Sequence, residues 1–199
     1  MRNGRHISDK IKWIDCDITD PVSVRNALKT SQPDKIFHLA AESFVSPSWN
    51  HPSHYIDVNY KGTVNILDSM RELELKSKIL IPGSGEEFGD VYQHELPITE
   101  ESIIRPVNPY AVTKVAQDLI GYVYFRSYGL KVIRTRAFNH EGPRRGENFI
   151  SRKVIIGIIK ILRGQQKCLY LGNLKSKRDW GHAKEFVNAQ WKILQYKTP

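Results

Sequence analysis

The chain has 199 residues, 40% of them hydrophobic, which describes a soluble globular protein with one real core. Thirty Lys and Arg against 21 Asp and Glu give a net charge of +9, which points to anionic partners: nucleotides, sugar nucleotides, nucleic acid or a membrane surface. No run approaches the roughly 18 apolar residues of a membrane span, and Met1-Arg2-Asn3-Gly4-Arg5 is not a signal peptide. Cys16 and Cys168 fit no metal or redox spacing, so the expectation is a cytoplasmic protein with no membrane partner, no metal and two reduced, buried cysteines.

In chain order, Ile11-Lys12-Trp13-Ile14 alternates as a strand does and ends in Asp15-Cys16-Asp17. Thr19-Asp20-Pro21, a cap before a proline, opens a helix to about residue 31. Gln32-Pro33-Asp34 turns the chain into a second strand over 35–40. Small residues at Ala40 and Ala41, followed by Glu42 and Ser43, let a ligand approach the backbone at that strand's carboxyl end. Residues 52–74 read as a long helix with Val58, Ile66, Leu67 and Met70 on overlapping faces.

A third strand over 78–81 runs into the polar Gly83-Ser84-Gly85-Glu86. Residues 90–107 form a loop, and Asn108-Pro109 starts a helix over 109–128, with Gly129 as the residue after its C-cap. On that helix Tyr110 and Lys114 are four apart and share one face. A phenol with a pKa of about 10 in water is useless as a base at neutral pH. A neighbouring ammonium and the Ser84 hydroxyl both favour phenolate, so Tyr110 is expected to be acidified enough to take a proton from a sugar hydroxyl. Glu87, next to Glu86, is expected to be an ordinary surface acid.

A strand over 131–138 ends in Asn139-His140-Glu141-Gly142-Pro143-Arg144-Arg145-Gly146-Glu147, which is too polar and too rich in Gly and Pro for a core. A helix over 148–163, a short strand and turn over 169–172, a polar knot at Arg178-Asp179-Trp180-Gly181-His182 and a last helix over 183–196 complete the chain. Between Arg144 and Arg178 there are ten Lys or Arg and one acid, Glu147. They are not interleaved with a base-stacking aromatic platform, which argues against nucleic acid and leaves a solvated basic face or a nucleotide site. Alternation of helix and strand gives the fold class α/β, with a doubly wound parallel sheet.

Ser84, Tyr110 and Lys114, with His38-Leu39-Ala40-Ala41, resemble the extended short-chain dehydrogenase/reductase superfamily. Within it, the run from Phe138-Asn139-His140 to Glu147-Asn148-Phe149, with Leu169-Tyr170-Leu171-Gly172-Asn173 and Arg178-Asp179-Trp180-Gly181-His182-Ala183-Lys184, resembles the GDP-mannose 4,6-dehydratase family. The resemblance implies a Rossmann-like domain spanning 1–199, with 140–181 contributing substrate loops, and NADP as cofactor. It implies that Ser84 hydrogen-bonds the sugar 4-hydroxyl, that Glu86 removes the C5 proton, and that Tyr110 is the base at the 4-hydroxyl with Lys114 tuning it. Asp17 and Ile18 would flank the adenine. Leu39, Ala40, Ala41 and Ser43 would line the cofactor's phosphates and ribose, and His140 and Arg145 would complete the site. Asn139 and Arg144 join Ser84 and Glu86 as substrate contacts. The implied reaction is oxidation at C4, loss of water across C5 and C6, and reduction at C6 of a nucleotide sugar, by a homodimer or homotetramer.

The chain departs from the family in two places. His54 stands where a Tyr is common, and the glycine-rich turn Gly-x-x-Gly-x-x-Gly is not in the sequence, so the expectation is a chain lacking both ends of the family's length. In the strand order 3-2-1-4-5-6 the 11–14 strand is the third, so it either docks directly on the 35–39 strand or leaves a gap that a missing segment or another chain fills. Another sugar-nucleotide epimerase, dehydratase or 4-keto reductase is the alternative enzyme. A catalytically silent binding or dimerisation fragment is the alternative of another class.

Overall fold

The computed structural model describes residues 5–196, which divide into two compact units, one made of residues 5–137 with 189–196 and the other of Phe138–Asn188. In the first, Asp20 accepts a hydrogen bond from the Val22 amide at 2.9 Å and so starts α1 (Pro21–Ser31), which ends at Gln32 in the left-handed region, φ 42°. β1 is short (Lys35–Phe37), although the His38 amide still reaches the Leu80 carbonyl at 3.0 Å. The long helix expected next is present but not uniform. It consists of α2 (Pro52–Tyr55), a π segment (Ile56–Lys61) and α3 (Gly62–Glu72), and the widened turn carries the fully buried Asn59.

β2 (Lys78–Ser84), α4 (Pro109–Tyr128) and β3 (Lys131–Ala137) follow. The three strands form one parallel sheet in the order β1-β2-β3, in register at Lys35, Lys78 and Lys131. Side chains alternate across it as the pleat requires. Ile79, Ile81 and Val132 face a core with Val24, Ile66, Leu67, Met70 and Tyr124. Leu80 and Ile133 face the other way and meet Leu194, near the end of α6 (Ala183–Gln195). Helices on both faces of a parallel sheet make this the doubly wound α/β arrangement that the sequence indicates.

α4 lies on the sheet along a stripe that recurs every three or four residues: Tyr110, Lys114, Gln117, Gly121 and Tyr124, all buried. Gly121 sets how near the helix comes, since a Cβ there would stand 3.2 Å from both Ile81 and Val132. Gly129, with φ 67°, ends the helix where the sequence places its end.

Three expectations are corrected. Residues 11–14 form no strand, and Ile11, Trp13 and Ile14 are exposed: they do not dock on β1, whose one described partner is β2, and an extended segment without a ladder partner gains little. Cys16 is exposed for the same reason, and Cys168 is exposed in the irregular stretch that follows α5. Residues 169–172 also form no strand.

In the second unit, β4 (Asn139–Glu141) pairs in parallel with β5 (Trp180–His182), and α5 (Ile150–Leu162) lies between them in sequence. No described helix is long and apolar enough to cross a membrane, and among the described residues no three His, Cys, Asp or Glu are grouped to hold a metal.

Leu67 has no exposed surface, so Leu67→Ala is expected to cost about 2–5 kcal/mol, read as a lower denaturation midpoint in urea. His38 is buried, with its Nε2 2.9 Å from Thr63 Oγ1, and burial first and the Lys114 charge second push its pKa down to about 4. An imidazole that stays neutral when folded but protonates when unfolded stabilises the fold fully above about pH 6.5, and that contribution fades as pH falls towards 4. Between pH 7 and pH 5 the chain should therefore lose about 2 kcal/mol that a His38→Gln variant does not lose, measured by urea denaturation of both at each pH.

Candidate active site

The carboxyl end of β2 is where the chain brings its chemistry together. At Ser84 the strand gives way to a 3-10 turn, Gly85–Phe88, and Ser84 caps it: the Glu86 amide donates to Ser84 Oγ at 3.2 Å, and the Ser84 amide donates to Glu87 Oε1 at 2.7 Å. Only a glycine fits at position 83, because a Cβ would lie 2.3 Å from Glu87 Oε1 and 2.5 Å from the Thr135 carbonyl. Gly89, with φ 58°, then lets the chain pass the Arg105 carbonyl.

The start of α4 meets this turn. Asn108 accepts from the Ala111 amide at 2.8 Å as the helix cap, and its own amide nitrogen donates to Glu86 Oε2 at 3.1 Å. One side chain thus fixes both the helix that carries Tyr110 and the carboxylate beside it. The Tyr110 ring is buried, edge-on to Tyr55 with centroids 6.4 Å apart. Burial pushes its pKa above the usual tyrosine value. The Ser84 hydroxyl, as a hydrogen-bond partner, pulls it down, and Glu86, Glu87 and Tyr55 push it up again.

Lys114, one turn further along α4 and 4% exposed, donates from Nζ to the Pro82 carbonyl and to Gln117 Oε1. Burial lowers its pKa to about 8, with Glu87 acting against that. The acidified phenol expected from sequence is therefore not what the structure holds. Ser84 acts in the expected direction, whereas the ammonium is bonded to Pro82 and Gln117 and desolvation outweighs the rest.

Glu87 is a second correction. Far from being a surface acid it has no exposed surface, and its carboxylate joins the Ser84 amide to Arg136 Nε at 3.1 Å. Arg136 continues to Asp118 at 2.9 Å, and Asp118 to Arg134 at 2.8 Å, so two buried carboxylates and two partly exposed arginines tie the turn, α4 and β3 into one ionic network. Burial raises the Glu87 pKa and the Ser84 amide opposes it. The signal was present in the sequence: Ser84-Gly85-Glu86-Glu87 has the spacing of a capping box.

The residues expected around the cofactor fall in two places. Leu39, Ala40 and Ser43 are exposed and Ala41 half-buried just after β1, at the same sheet edge. Asp17 and Ile18, with Thr19, His54, Asp57, Val58 and Lys61, line a cavity of about 500 Å³. The Thr19 amide and hydroxyl bond to the Asp17 carboxylate and hold its pKa below the usual value. His54 lies 3.2 Å from Glu42 Oε1.

Asn139, His140, Arg144 and Arg145 belong to the second unit. There, Asn139 and His140 sit on β4, paired with Trp180 and Gly181. His140 Nδ1 is 2.9 Å from the Phe138 carbonyl, which only accepts, so Nδ1 carries the proton, and the ring stacks on Phe186 at 4.4 Å. Arg145 lies 3.2 Å from Glu141 and 3.5 Å above the Phe149 ring, and Arg144 takes a φ of 75°.

Known proteins share this chain's pattern. GDP-mannose 4,6-dehydratase of Vibrio cholerae serotype O1 is 40% identical over 185 residues, covering 92% of this chain and 49% of that protein. The Homo sapiens GDP-mannose 4,6 dehydratase is 35% identical over 196 residues, covering 98% and 52%. The chain thus spans about half the length of the curated relatives it matches. Among solved structures, RMD from Pseudomonas aeruginosa complexed with NADPH superposes with a TM-score of 0.85 at 29% identity, over 92% of this chain and 64% of that one. DesIV, a dTDP-glucose 4,6-dehydratase from Streptomyces venezuelae with NAD and TYD bound, gives 0.84 at 26% identity, over 98% and 59%. The profile described as GDP-mannose 4,6 dehydratase matches residues 1–199, so the chain belongs to the GDP-mannose 4,6 dehydratase family.

Proposed function

We propose that the chain carries the cofactor and proton-transfer half of an NADP-dependent GDP-mannose 4,6-dehydratase, a cytoplasmic lyase that makes GDP-4-dehydro-6-deoxy-mannose. The observation that carries this reading is the meeting of Ser84, Glu86 and Tyr110 at the end of β2, with Asn108 bonded to both the helix start and Glu86.

The residues suit a dinucleotide. A cavity of about 500 Å³ with an apolar wall at Ile18 and Val58 and a polar one at Asp17, Thr19 and Lys61 has the mixed lining a nucleoside takes. Asp17 and Ile18 would hold the adenine end, Leu39, Ala40, Ala41 and Ser43 the middle, and Lys114 the nicotinamide ribose. NADP, when bound, supplies a hydride acceptor and a positive charge that favours phenolate.

The chain's own work is proton movement. Ser84 orients the sugar 4-hydroxyl, and Tyr110 accepts its proton. Once C4 is a ketone the C5 proton is acidic, and Glu86, held through Oε2 by Asn108, is the carboxylate that takes it. Burial excludes water from Tyr110 and Lys114, which strengthens each hydrogen bond that orients a substrate there. The outer flank of α4, where Val112, Leu119, Tyr122 and Val123 are exposed, supports assembly as a homodimer or homotetramer.

A second enzyme reading, another sugar-nucleotide dehydratase or 4-keto reductase, is favoured by the likeness to RMD and DesIV. Comparing GDP-mannose with CDP-glucose and dTDP-glucose as substrates separates the two. In the complete enzyme, Tyr110→Phe should lower 4-keto product from GDP-mannose by about 10²–10⁴-fold, and unchanged turnover would end the assignment. Fluorescence titration with NADPH decides against a silent fragment if binding is in the micromolar range.

A further inference from the structure

Lys114 is gripped by a buried chain of hydrogen bonds that the proposed reaction does not use. Its first acceptor comes from the sheet. The Leu80 carbonyl accepts from the His38 amide, and two residues on, along the same edge of β2 and past the end of β1, the Pro82 carbonyl accepts from Lys114 Nζ.

Its second acceptor is Gln117 Oε1. Gln117 is 1% exposed, and its amide has one consistent orientation, because an ammonium only donates. The oxygen therefore faces Lys114, and Nε2 donates to Thr63 Oγ1 at 2.8 Å. The single proton of the Thr63 hydroxyl goes to the Asn59 carbonyl at 2.6 Å. Thr63 Oγ1 then accepts from His38 as well, 2.9 Å away, so the His38 ring proton is on Nε2. Each donor is fixed by the one before it.

We propose that Gln117 is the positioning residue for Lys114: locked by Thr63 and His38, it holds the ammonium jointly with the Pro82 carbonyl and leaves one N–H for a ligand hydroxyl. The purpose of that arrangement rests on the dehydratase reading, whereas its geometry does not. A neutral amide holds the amine without pairing its charge, and nothing else in the chain of bonds is charged. The titratable groups that act on the amine are Glu87 from the turn after β2 and His38 from the end of β1. Tyr110 lies one turn back on α4 itself, α3 presents the uncharged Thr63, and Asp118 and Arg136 act on Glu87.

The test follows Lys114 by NMR in the chain labelled with carbon-13 at lysine Cε, across pH 6 to pH 11. Gln117→Leu removes an acceptor that favours the ammonium and should lower the Lys114 midpoint by about one to two pH units, a tenfold to hundredfold change in its dissociation constant. Gln117→Glu keeps the acceptor, adds a charge and should raise the midpoint by at least about one unit. Should the leucine variant not fold, Gln117→Met serves in its place.

Nitrogen-15 spectra of the wild type should show His38 protonated on Nε2. Midpoints unmoved in folded variants, or a His38 proton on Nδ1, overturn the proposal. NADPH titration adds the functional arm: a loss of affinity in Gln117→Leu confined to the alkaline side, tracking the Lys114 midpoint, supports positioning. An equal loss at every pH marks a role in packing alone and overturns it. No NADPH binding by the wild type sinks the dehydratase reading and leaves the lysine titration to decide this one.

Discussion

Asn108 is the side chain on which the site's geometry turns. A helix cap needs an acceptor for an orphan amide, and serine, threonine or aspartate all provide one. Asn108 also donates, and the group that receives the bond is Glu86. An aspartate in its place would cap α4 equally well but would set two carboxylates against each other. Because Tyr110 is two residues into the helix that Asn108 begins, the phenol and the Glu86 carboxylate are located by the same amide group.

Beneath that arrangement lies an ionic network around two buried carboxylates, Glu87 and Asp118, whose worth is positional. Glu87, Arg136, Asp118 and Arg134 link the turn after β2 to α4 and to β3. Taking such groups out of water is costly, and well-packed apolar side chains often stabilise as much, so net stability is a poor explanation for them. What the ions provide is direction. Glu87 bonds the Ser84 amide and so fixes the turn at Ser84, and Asp118, one turn beyond Lys114, holds α4 to the sheet through two arginines. Gly83 completes the fit by letting the turn approach the Thr135 carbonyl where any side chain would obstruct, and Gly121 lets α4 lie closer to Ile81 and Val132 than a side chain would allow without displacing them.

Much of this was legible in the sequence wherever the signal was local. The cap and proline at Asn108-Pro109 and the glycine at 129 give the limits of α4, because helix ends are set by neighbours in the chain. Ser84 and Tyr110 come together because each lies at the end of such an element. Residues 11–14 misled because alternation reports a preference for extended backbone, while a strand also needs a partner, which topology decides. The π segment around Asn59 and the burial of Glu87 were missed for a similar reason. A widened turn leaves no mark in the hydrophobic period, and a glutamate's burial depends on Arg136, 49 residues away. The donation from Lys114 to the Pro82 carbonyl was equally hidden, since backbone acceptors have no signature in side-chain sequence.

The contrast between Glu86 and Glu87 shows how one turn gives two neighbouring carboxylates different surroundings. In a 3-10 turn successive residues are roughly 120° apart, so adjacent carboxylates diverge. Glu87 points inward, where the Ser84 amide and Arg136 occupy its oxygens. Glu86 stays half-buried beside Asn108, on the side where it raises the pKa of Tyr110. Two neighbouring acids with the same side chain thus acquire different work from backbone geometry alone. Burial is the largest influence on the Tyr110 phenol and holds its pKa above the usual tyrosine value, with the Ser84 hydroxyl pulling it down and the Glu86 carboxylate pushing it up.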